Sequence, residues 1–219
     1  MCVSTKYTSK ELNKYYDRGG VSIGGLPRVY HGITKKTVLE KVKTITGKYV
    51  VGSCPDISLA ISLSLVIDEF HIINWPLSLY GASSGSGGGM TASKKHYAKI
   101  ENMNWLREGI KDRWHENIPE LWSERTIYPQ TAIEVFDAFG VENRINFYEM
   151  YAALFAYEPH LKEFWISGYK KSQMGKLGLL FFKISKKSVG QLLSQIKYKT
   201  RFLPYEVYVV DVENVSKYF

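Results

Sequence analysis

The sequence predicts an α/β fold for residues 20–90, followed by a mainly helical region and a small α/β tail. Two observations predict this class. Short apolar segments typical of strands flank an amphipathic helix in the first part, and helical spacing of apolar residues, interrupted by proline and glycine, dominates afterwards. We accordingly divide the chain into a lead-in at 1–26, an α/β unit at 27–92, a helical extension at 93–168 and a basic α/β tail at 169–219.

The first part of the chain is interpreted from local signals. Residues 1–26 are expected to be a loosely ordered lead-in that ends in the glycine-rich RGGVSIGG, and Val29–Ile33 is predicted as a short strand. A helix is predicted from Thr34, which can cap it, to Thr46, with Gly47 as its stop. Its apolar residues recur at helical spacing: Val38, Leu39, Val42 and Ile45.

The segment after Pro55 is open to two interpretations. Isoleucine and leucine alternate with serine and alanine from 57 to 65, which is typical of a strand. Asp56 directly after a proline is instead a natural N-cap, and a helix is preferred on that ground. Strands are predicted next at 70–75 and 77–80, separated by a proline that can donate no ladder hydrogen bond.

The rest of the chain is predicted to be mainly helical. A Ser/Gly-rich stretch, Ala82–Gly89, is typical of a flexible linker. Helices separated by proline and glycine are predicted after it, at 94–115, 118–139, 144–157 and 159–166. The tail is predicted to form a strand, a helix and a final strand, at 177–184, 187–197 and 206–212.

Composition excludes several classes of protein. With only two cysteines, Cys2 and Cys54, the sequence has no disulfide framework and no metal-ligand spacing, which indicates a reducing compartment. The first residues lack the apolar stretch of a signal peptide. The longest apolar run, Ile57–Ile67, is too short to span a bilayer. We therefore expect a soluble, cytoplasmic protein that touches a membrane only at its inner surface.

Positive charge is concentrated near the end of the sequence. The formal net charge is +8, and residues 162–201 contain ten Lys or Arg against one acid, Glu163. Such a region suits an anionic membrane surface or a phosphate-bearing substrate. A solvated basic face that keeps the protein soluble is an equal alternative. Nucleic acid is not expected as a partner, because no interleaved basic and aromatic motif is present.

A few residues are candidates for chemistry. Amide groups and the dipole of a helix N-terminus would keep Asp56 ionised, so that it can act as a general base; a plain helix cap is the simpler alternative. His31 lies at the end of a predicted strand, where a structural role is the commoner one. Trp75 lies beside the Ser/Gly stretch and can stack on a sugar ring. Asp211 and Glu213 end a predicted strand, but we assign no metal site to them.

Residues 25–90 carry an ordered set of short motifs. These are Y-H-G at 30–32, T-G at 46–47, S-x-P-D at 53–56 and P-L-S-x-x-G-x-S at 76–83. In this order the motifs resemble the later half of the catalytic domain of family 2 glycosyltransferases of the GT-A type, with a weaker likeness at 121–136. The resemblance implies a partial GT-A fold over 27–92. It also implies an inverting transfer of a sugar from a nucleotide-sugar donor to a hydroxyl of a glycan or lipid-linked acceptor.

The resemblance also implies roles for individual residues. The aspartate of the S-x-P-D motif, Asp56, is implied as the general base. Substrate-binding roles are implied for the Y-H-G segment on the acceptor side and for a loop that closes over donor or acceptor: Tyr30, His31 and Gly32, then Gly81, Ser83 and Ser84. Trp75, at the start of that loop, is added to the substrate-binding set.

One part of the family pattern is absent from the sequence. Family members bind the nucleotide on an N-terminal half, where an acidic D-x-D pair holds Mg²⁺ or Mn²⁺, and this sequence contains no D-x-D. We therefore expect either a truncated reading frame or a partner chain that supplies the donor half. The alternative to an enzyme is a non-catalytic remnant, or a subunit that binds the acceptor or a partner chain.

Overall fold

The protein is mixed α/β and mostly helical. A computed structural model describes residues 3–30, 32–73, 97–102 and 109–172, together with Lys187 and Gly190. The strands and helices of the described residues, in chain order, are β1 (Val3–Tyr7), α1 (Thr8–Asp17), α2 (Lys36–Thr46), α3 (Pro55–Val66), β2 (Glu69–Ile73), β3 (Ala98–Lys99), β4 (Leu121–Trp122), α4 (Glu124–Phe139), α5 (Phe147–Tyr157) and α6 (Lys162–Lys171). Short 3₁₀ turns are formed by Ile100–Asn102, Lys111–Arg113 and Pro159–Leu161. The predicted α/β class is confirmed at this level.

Two small antiparallel sheets are present in the described part of the chain. β1 pairs with β2, so that Val3 lies opposite Ile73 and Tyr7 opposite Glu69. β3 pairs with β4 over two residues each. β2 corresponds to the beginning of the strand predicted at 70–75. The strand predicted at 77–80 and the Ser/Gly stretch lie outside the described residues.

The expectation of a loosely ordered lead-in is wrong. β1 and α1 occupy this region, and α1 buries three residues in the core: Leu12, Tyr15 and Tyr16. α1 is followed by Gly19 and Gly20 with φ of 77° and 69°. A Cβ on Gly19 would collide with the backbone of Met150 in α5. Glycine is therefore required where the chain turns beneath α5.

The short strand predicted at Val29–Ile33 is also wrong. The amide of Gly32 donates a hydrogen bond to the carbonyl of Val29 (3.1 Å), which forms a turn. Ile33 is 93% exposed, so no apolar face exists there for a strand to bury. α2 then begins at Lys36, two residues after the predicted start, and ends at Gly47 as predicted. Gly47 adopts the left-handed conformation with φ of 73°.

α3 resolves the ambiguous segment in favour of a helix, as preferred. Every residue from Ile57 to Ser64 is buried. Two of its three buried serines are hydrogen-bonded: Ser58 Oγ accepts the amide of Val51 (2.8 Å) and Ser64 Oγ donates to the carbonyl of Ala60 (2.8 Å). Ser62 Oγ has no hydrogen-bond partner among the described residues. The alternation of apolar and small residues thus reflects a helix surrounded by protein on all sides.

The helical extension differs from its prediction at its start. The part of 94–115 that the structure describes forms β3 and 3₁₀ turns instead of a continuous helix. α4 begins at Glu124, six residues after the predicted start, because Ser123 and Thr126 form a capping box there. α4 ends at Gly140 as predicted, and α5 is confirmed. The helix predicted at 159–166 divides into a 3₁₀ turn and α6. Of the tail predictions, the structure describes only Lys187 and Gly190, which are helical as predicted for 187–197.

One hydrophobic cluster joins most of these elements. It contains residues of α1, α3, α4, α5 and α6, including Tyr16, Ile61, Phe136, Met150 and Trp165. A second, smaller cluster lies beside β4 and comprises Ile100, Ile110, Trp122 and Ile127. Among the described helices, none has the length and apolar character needed to cross a membrane.

Candidate active site

Asp56 lies in the first turn of α3, with its side chain exposed. The predicted N-cap role is wrong, since the N-cap is Cys54 in an extended conformation and Pro55 occupies the first helical position. Asp56 therefore sits one residue inside the helix. The positive end of the helix dipole favours a negative charge at this position.

The beginning of α3 is docked on one face of α4. The amide of Cys54 donates to Thr131 Oγ1 (3.2 Å), which fixes the helix start against α4. Gly52 has a φ of 76°, and a Cβ there would lie 2.9 Å from Thr131 Cγ2. Glu124, Tyr128 and Thr131 are spaced by four and three residues, so they share the α4 face that meets the start of α3.

Four polar side chains are close enough to influence one another at this junction: Cys54, Asp56, Glu124 and Tyr128. Burial is the main cause that raises the pKa of the Tyr128 hydroxyl, and the negative charges of Glu124 and Asp56 raise it further. Burial also raises the pKa of the Cys54 thiol; the amide of Ile57 opposes this effect, and the charge of Asp56 adds to it. The raised pKa values keep the Tyr128 phenol and the Cys54 thiol in their neutral forms at neutral pH.

This arrangement is suited to proton transfer at an incoming hydroxyl group. An exposed carboxylate at a helix N-terminus can accept a proton, and a neutral phenol can donate a hydrogen bond to a substrate oxygen. The backbone of Tyr128 is held in place, because its carbonyl accepts the hydroxyl of Tyr15 (3.3 Å), and the carboxylate of Glu124 lies close to its phenol. The junction thus pairs one exposed base with a fixed donor.

Of the other predicted site residues, the structure describes Tyr30 and Gly32. Both are exposed in the turn before α2, and Tyr30 is 54% exposed. Within the described residues, no hydrogen bond or ring contact joins either residue to Asp56. A Cβ on Gly32 would collide with the carbonyl oxygen of Arg28, so glycine is required by the turn itself. The remaining predicted residues lie outside the described part: His31, Trp75, Gly81, Ser83 and Ser84.

The described residues provide no set of ligands for the Mg²⁺ or Mn²⁺ that the resemblance implies. No group of three or more His, Cys, Asp or Glu side chains in the described ranges is placed to hold a metal ion. Asp56 and Glu124 supply two carboxylates on separate helices. We therefore derive no catalytic step through a metal from this junction.

Glu124 and Tyr128 were not among the residues predicted from the sequence. They are about 70 positions from Asp56 along the chain, and only the packing of α3 on α4 brings them to it. The one local signal is their spacing of four residues, which puts a carboxylate and a phenol on one helix face. That spacing is common on helix surfaces and does not by itself identify a site.

Comparisons with known proteins give no family assignment. No family model matches the chain, and neither a curated protein nor a solved structure matches it. The positions and chemistry of the residues around Asp56 are therefore the observations from which a function is inferred.

Proposed function

We propose that this chain forms the acceptor side of a glycosyltransferase site, with Asp56 as the general base. The observation that carries this proposal is the place of Asp56: the carboxylate of the S-x-P-D motif is exposed at a helix N-terminus, beside a neutral phenol and a second carboxylate. A base needs access to substrate, and the partial positive charge of a helix N-terminus favours a negatively charged group beside it. The ordered motifs at 30–83 supply the reaction class.

The proposed reaction is a single displacement. The carboxylate of Asp56 takes the proton of an acceptor hydroxyl as the acceptor oxygen bonds to the anomeric carbon of the donor sugar. The bond between that carbon and the diphosphate oxygen breaks, and the nucleoside diphosphate leaves with the bonding electron pair. In this scheme the single O–H of Tyr128 donates a hydrogen bond to the acceptor, and Glu124 lies beside the phenol.

The donor is proposed to bind outside the Asp56 junction. The resemblance places the nucleotide and Mg²⁺ or Mn²⁺ on a D-x-D pair, and this sequence contains none. A partner chain that carries the donor half would complete the site. The metal would then neutralise the leaving diphosphate, while this chain binds and deprotonates the acceptor.

The test separates binding of the acceptor from transfer of the sugar. Saturation-transfer NMR with a panel of oligosaccharides measures acceptor binding. Nucleotide-sugar turnover with Mn²⁺, by this chain reconstituted with a chain that carries the donor half, measures transfer. We expect Asp56→Asn to lower transfer at least about 100-fold, as loss of a general base does, with little change in acceptor binding. Asp68→Asn is the matched control, because Asp68 is an exposed aspartate just beyond the other end of α3. Full transfer activity in Asp56→Asn would exclude Asp56 as the base.

A second candidate function is a non-catalytic subunit that binds the acceptor or a partner chain. The observation in its favour is the lack of a metal-ligand set in the described residues, together with the missing D-x-D. This function predicts acceptor binding that is unchanged by Asp56→Asn and no turnover of any nucleotide-sugar. Transfer by the purified chain would exclude it.

We also propose that the basic region 162–201 holds the protein at the inner face of an anionic membrane that carries a lipid-linked acceptor. Lys162, Lys170 and Lys171 of α6 are exposed and so available to lipid headgroups. Co-sedimentation with vesicles that contain phosphatidylglycerol should fall with added salt, and vesicles of phosphatidylcholine alone should not bind. Equal binding to both vesicles would contradict this role.

A further inference from the structure

A cleft of about 580 Å³ lies between the 3₁₀ turns of the helical extension and α6. Its walls come from Lys99–Glu101, from the segment around 111–120 and from one face of α6. The volume is within the range of about 300–1,000 Å³ that is usual for small-molecule sites. None of the Asp56 junction residues lines it, so it is a separate feature of the molecule.

Two aromatic side chains give the cleft apolar surface. Trp114 and Phe164 are half-buried and both line it. The Trp114 indole N–H donates to the carbonyls of Ile118 and Pro119 (3.1 Å each), which fixes the plane of the ring. Flat apolar surfaces held in this way suit the apolar faces of sugar rings.

The two walls are held at close range by a glycine. Gly168 of α6 packs on Pro119, and a Cβ at this position would lie 2.8 Å from the Pro119 Cα. The close approach brings the Phe164 side of α6 near the loop that carries Trp114. The cleft is therefore shaped by backbone contact and does not depend on long flexible side chains.

The lining of the cleft carries many charged side chains, whose positive and negative charges nearly cancel. It contains four glutamates and three lysines. Glu101 pairs with Lys99 and Lys111 at 3.8 Å each, and these pairs are exposed, so their oxygen and nitrogen atoms keep spare hydrogen-bonding capacity. Glu116 and Glu163 are not joined to any lysine of the cleft. Their carboxylates are free to accept hydrogen bonds from hydroxyl groups.

We propose that this cleft binds a neutral oligosaccharide. Sugar hydroxyls donate to carboxylates and accept from ammonium groups, while ring faces pack on aromatic side chains, and the cleft offers all three partners. Phosphorylated or strongly acidic ligands would meet Glu116 and Glu163, with which no lysine of the cleft pairs, and an acyl chain would have to desolvate seven charged groups. The proposal rests on the cleft alone and adds a second saccharide site to the acceptor site at Asp56.

The test uses saturation-transfer NMR and calorimetry on the full chain. The probes are hexamers of β-1,4-linked glucose and of N-acetylglucosamine, with oligogalacturonate as the acidic comparison and a lysine-rich peptide as the basic one. Ser167→Trp fills the cleft from an exposed position of α6, and Phe164→Ala removes an aromatic wall. We expect each variant to weaken binding of a neutral hexamer about tenfold or more.

The matched controls change similar groups outside the cleft. Ile166→Ala truncates an apolar residue of α6 that is 40% exposed and does not line the cleft. Asp56→Asn removes the proposed base, so transfer should be lost while binding in the cleft is unchanged. The proposal for Asp56 and the proposal for the cleft can therefore fail independently. Neutral hexamers that do not bind, that bind equally to Ser167→Trp, or that bind less well than the acidic oligomer or the basic peptide would overturn the inference.

Discussion

Glu158 is a carboxylate that is only 7% exposed, and it joins the start of α4 to the end of α5. One oxygen accepts the hydroxyl of Ser123 (3.0 Å), and the other pairs with Arg125 (3.1 Å). The Arg125 guanidinium also lies over the Tyr157 ring at 4.7 Å from its centroid. A carboxylate that is this far buried needs both partners, because each replaces water that the group has lost.

Replacing this carboxylate tests that account. Glu158→Gln keeps the size of the side chain but removes the charge, so Arg125 loses its ion pair. One of the two carboxylate oxygens is also replaced by an NH₂ group, which donates hydrogen bonds and does not accept them. We expect the free energy of unfolding in urea to fall by about 1–3 kcal/mol. Glu120→Gln is the control, because Glu120 forms an exposed pair with Lys171 at 3.4 Å. Its cost should stay below about 1 kcal/mol, and equal costs for the two variants would contradict the account.

His115 gives a second prediction, for the effect of pH on stability. Burial lowers the pKa of His115, and its Nδ1 accepts the amide of Asn117 (3.1 Å), an interaction that only the unprotonated nitrogen can make. Protons therefore bind more tightly to His115 in the unfolded chain. The resulting stabilisation is complete above the ordinary histidine pKa of about 6.5 and is lost as pH falls below it.

The measurement is the free energy of unfolding at about pH 7.5 and about pH 5.5. We expect the native protein to lose more stability across this interval than His115→Gln does. The difference between the two proteins isolates His115 from the exposed histidines, which are present in both. An equal loss in the two proteins would show that His115 does not contribute. His115→Gln also loses the stack of His115 on Phe147, with ring centroids 4.9 Å apart. That loss lowers the stability of the variant equally at both pH values, so it cancels when the two losses of stability are compared.

At the level of whole elements, Gly168 shows where helix propensity and packing act in opposite directions. Alanine in place of a helical glycine normally stabilises a helix by about 1 kcal/mol. Here the new Cβ would lie 2.8 Å from Pro119 Cα and 2.9 Å from its Cβ, and backbone cannot move aside cheaply. Overpacking of this kind costs about 1–3 kcal/mol.

We therefore expect Gly168→Ala to lower the melting temperature of the protein. Ser167→Ala is the matched control, because Ser167 is the exposed neighbour on the same helix and alanine has the higher helix propensity there. The control should leave the melting temperature unchanged or slightly raised. A higher melting temperature for Gly168→Ala would contradict the close packing of α6 on Pro119.

The elements that could be predicted from the sequence are those with a clear end signal, such as a glycine, or a regular spacing of apolar residues. α2 and its end at Gly47 follow from apolar spacing and a glycine, and both are confirmed. α1 was missed because its buried face is made of Leu12, Tyr15 and Tyr16, and tyrosine within a polar stretch gives a weak apolar signal. The described parts of the region 97–115, which are 97–102 and 109–115, contain helix-forming residues, yet pairing of β3 with β4 and the 3₁₀ turns override that propensity there.

The candidate site, too, could be predicted from the sequence only in part. That Asp56 lies near a helix start could be predicted, because Pro55 and the apolar run mark that start, although the structure puts it inside the helix and not at the predicted N-cap. Its neighbours Glu124 and Tyr128 could not, because their contact depends on how α3 packs on α4. Local patterns define which residues begin a helix, whereas the partners of a catalytic group are set by tertiary contacts.

For the whole molecule, the main hydrophobic cluster joins elements that are far apart in the sequence. Tyr16 of α1 is 5% exposed and packs against Phe136 of α4 with ring centroids 5.3 Å apart. Its carbonyl accepts the amide of Asn146, the N-cap of α5 (3.0 Å). Loss of this side chain removes the ring contact with Phe136 and the contact of the Arg144 guanidinium, which lies 5.4 Å from the ring centroid, whereas the backbone bond to Asn146 remains.

We expect Tyr16→Ala to lower the free energy of unfolding by about 3–5 kcal/mol, as for other large aromatic residues removed from a core. Because the cluster extends from α1 to α6, the loss should appear equally in far-ultraviolet circular dichroism and in tryptophan fluorescence, with one coincident transition. Tyr7→Ala, at a position that is 59% exposed, is the control and should cost less than about 1 kcal/mol. Two separate transitions, with only one of them shifted by Tyr16→Ala, would show that α1 is not part of the same cooperative unit as α5 and α6.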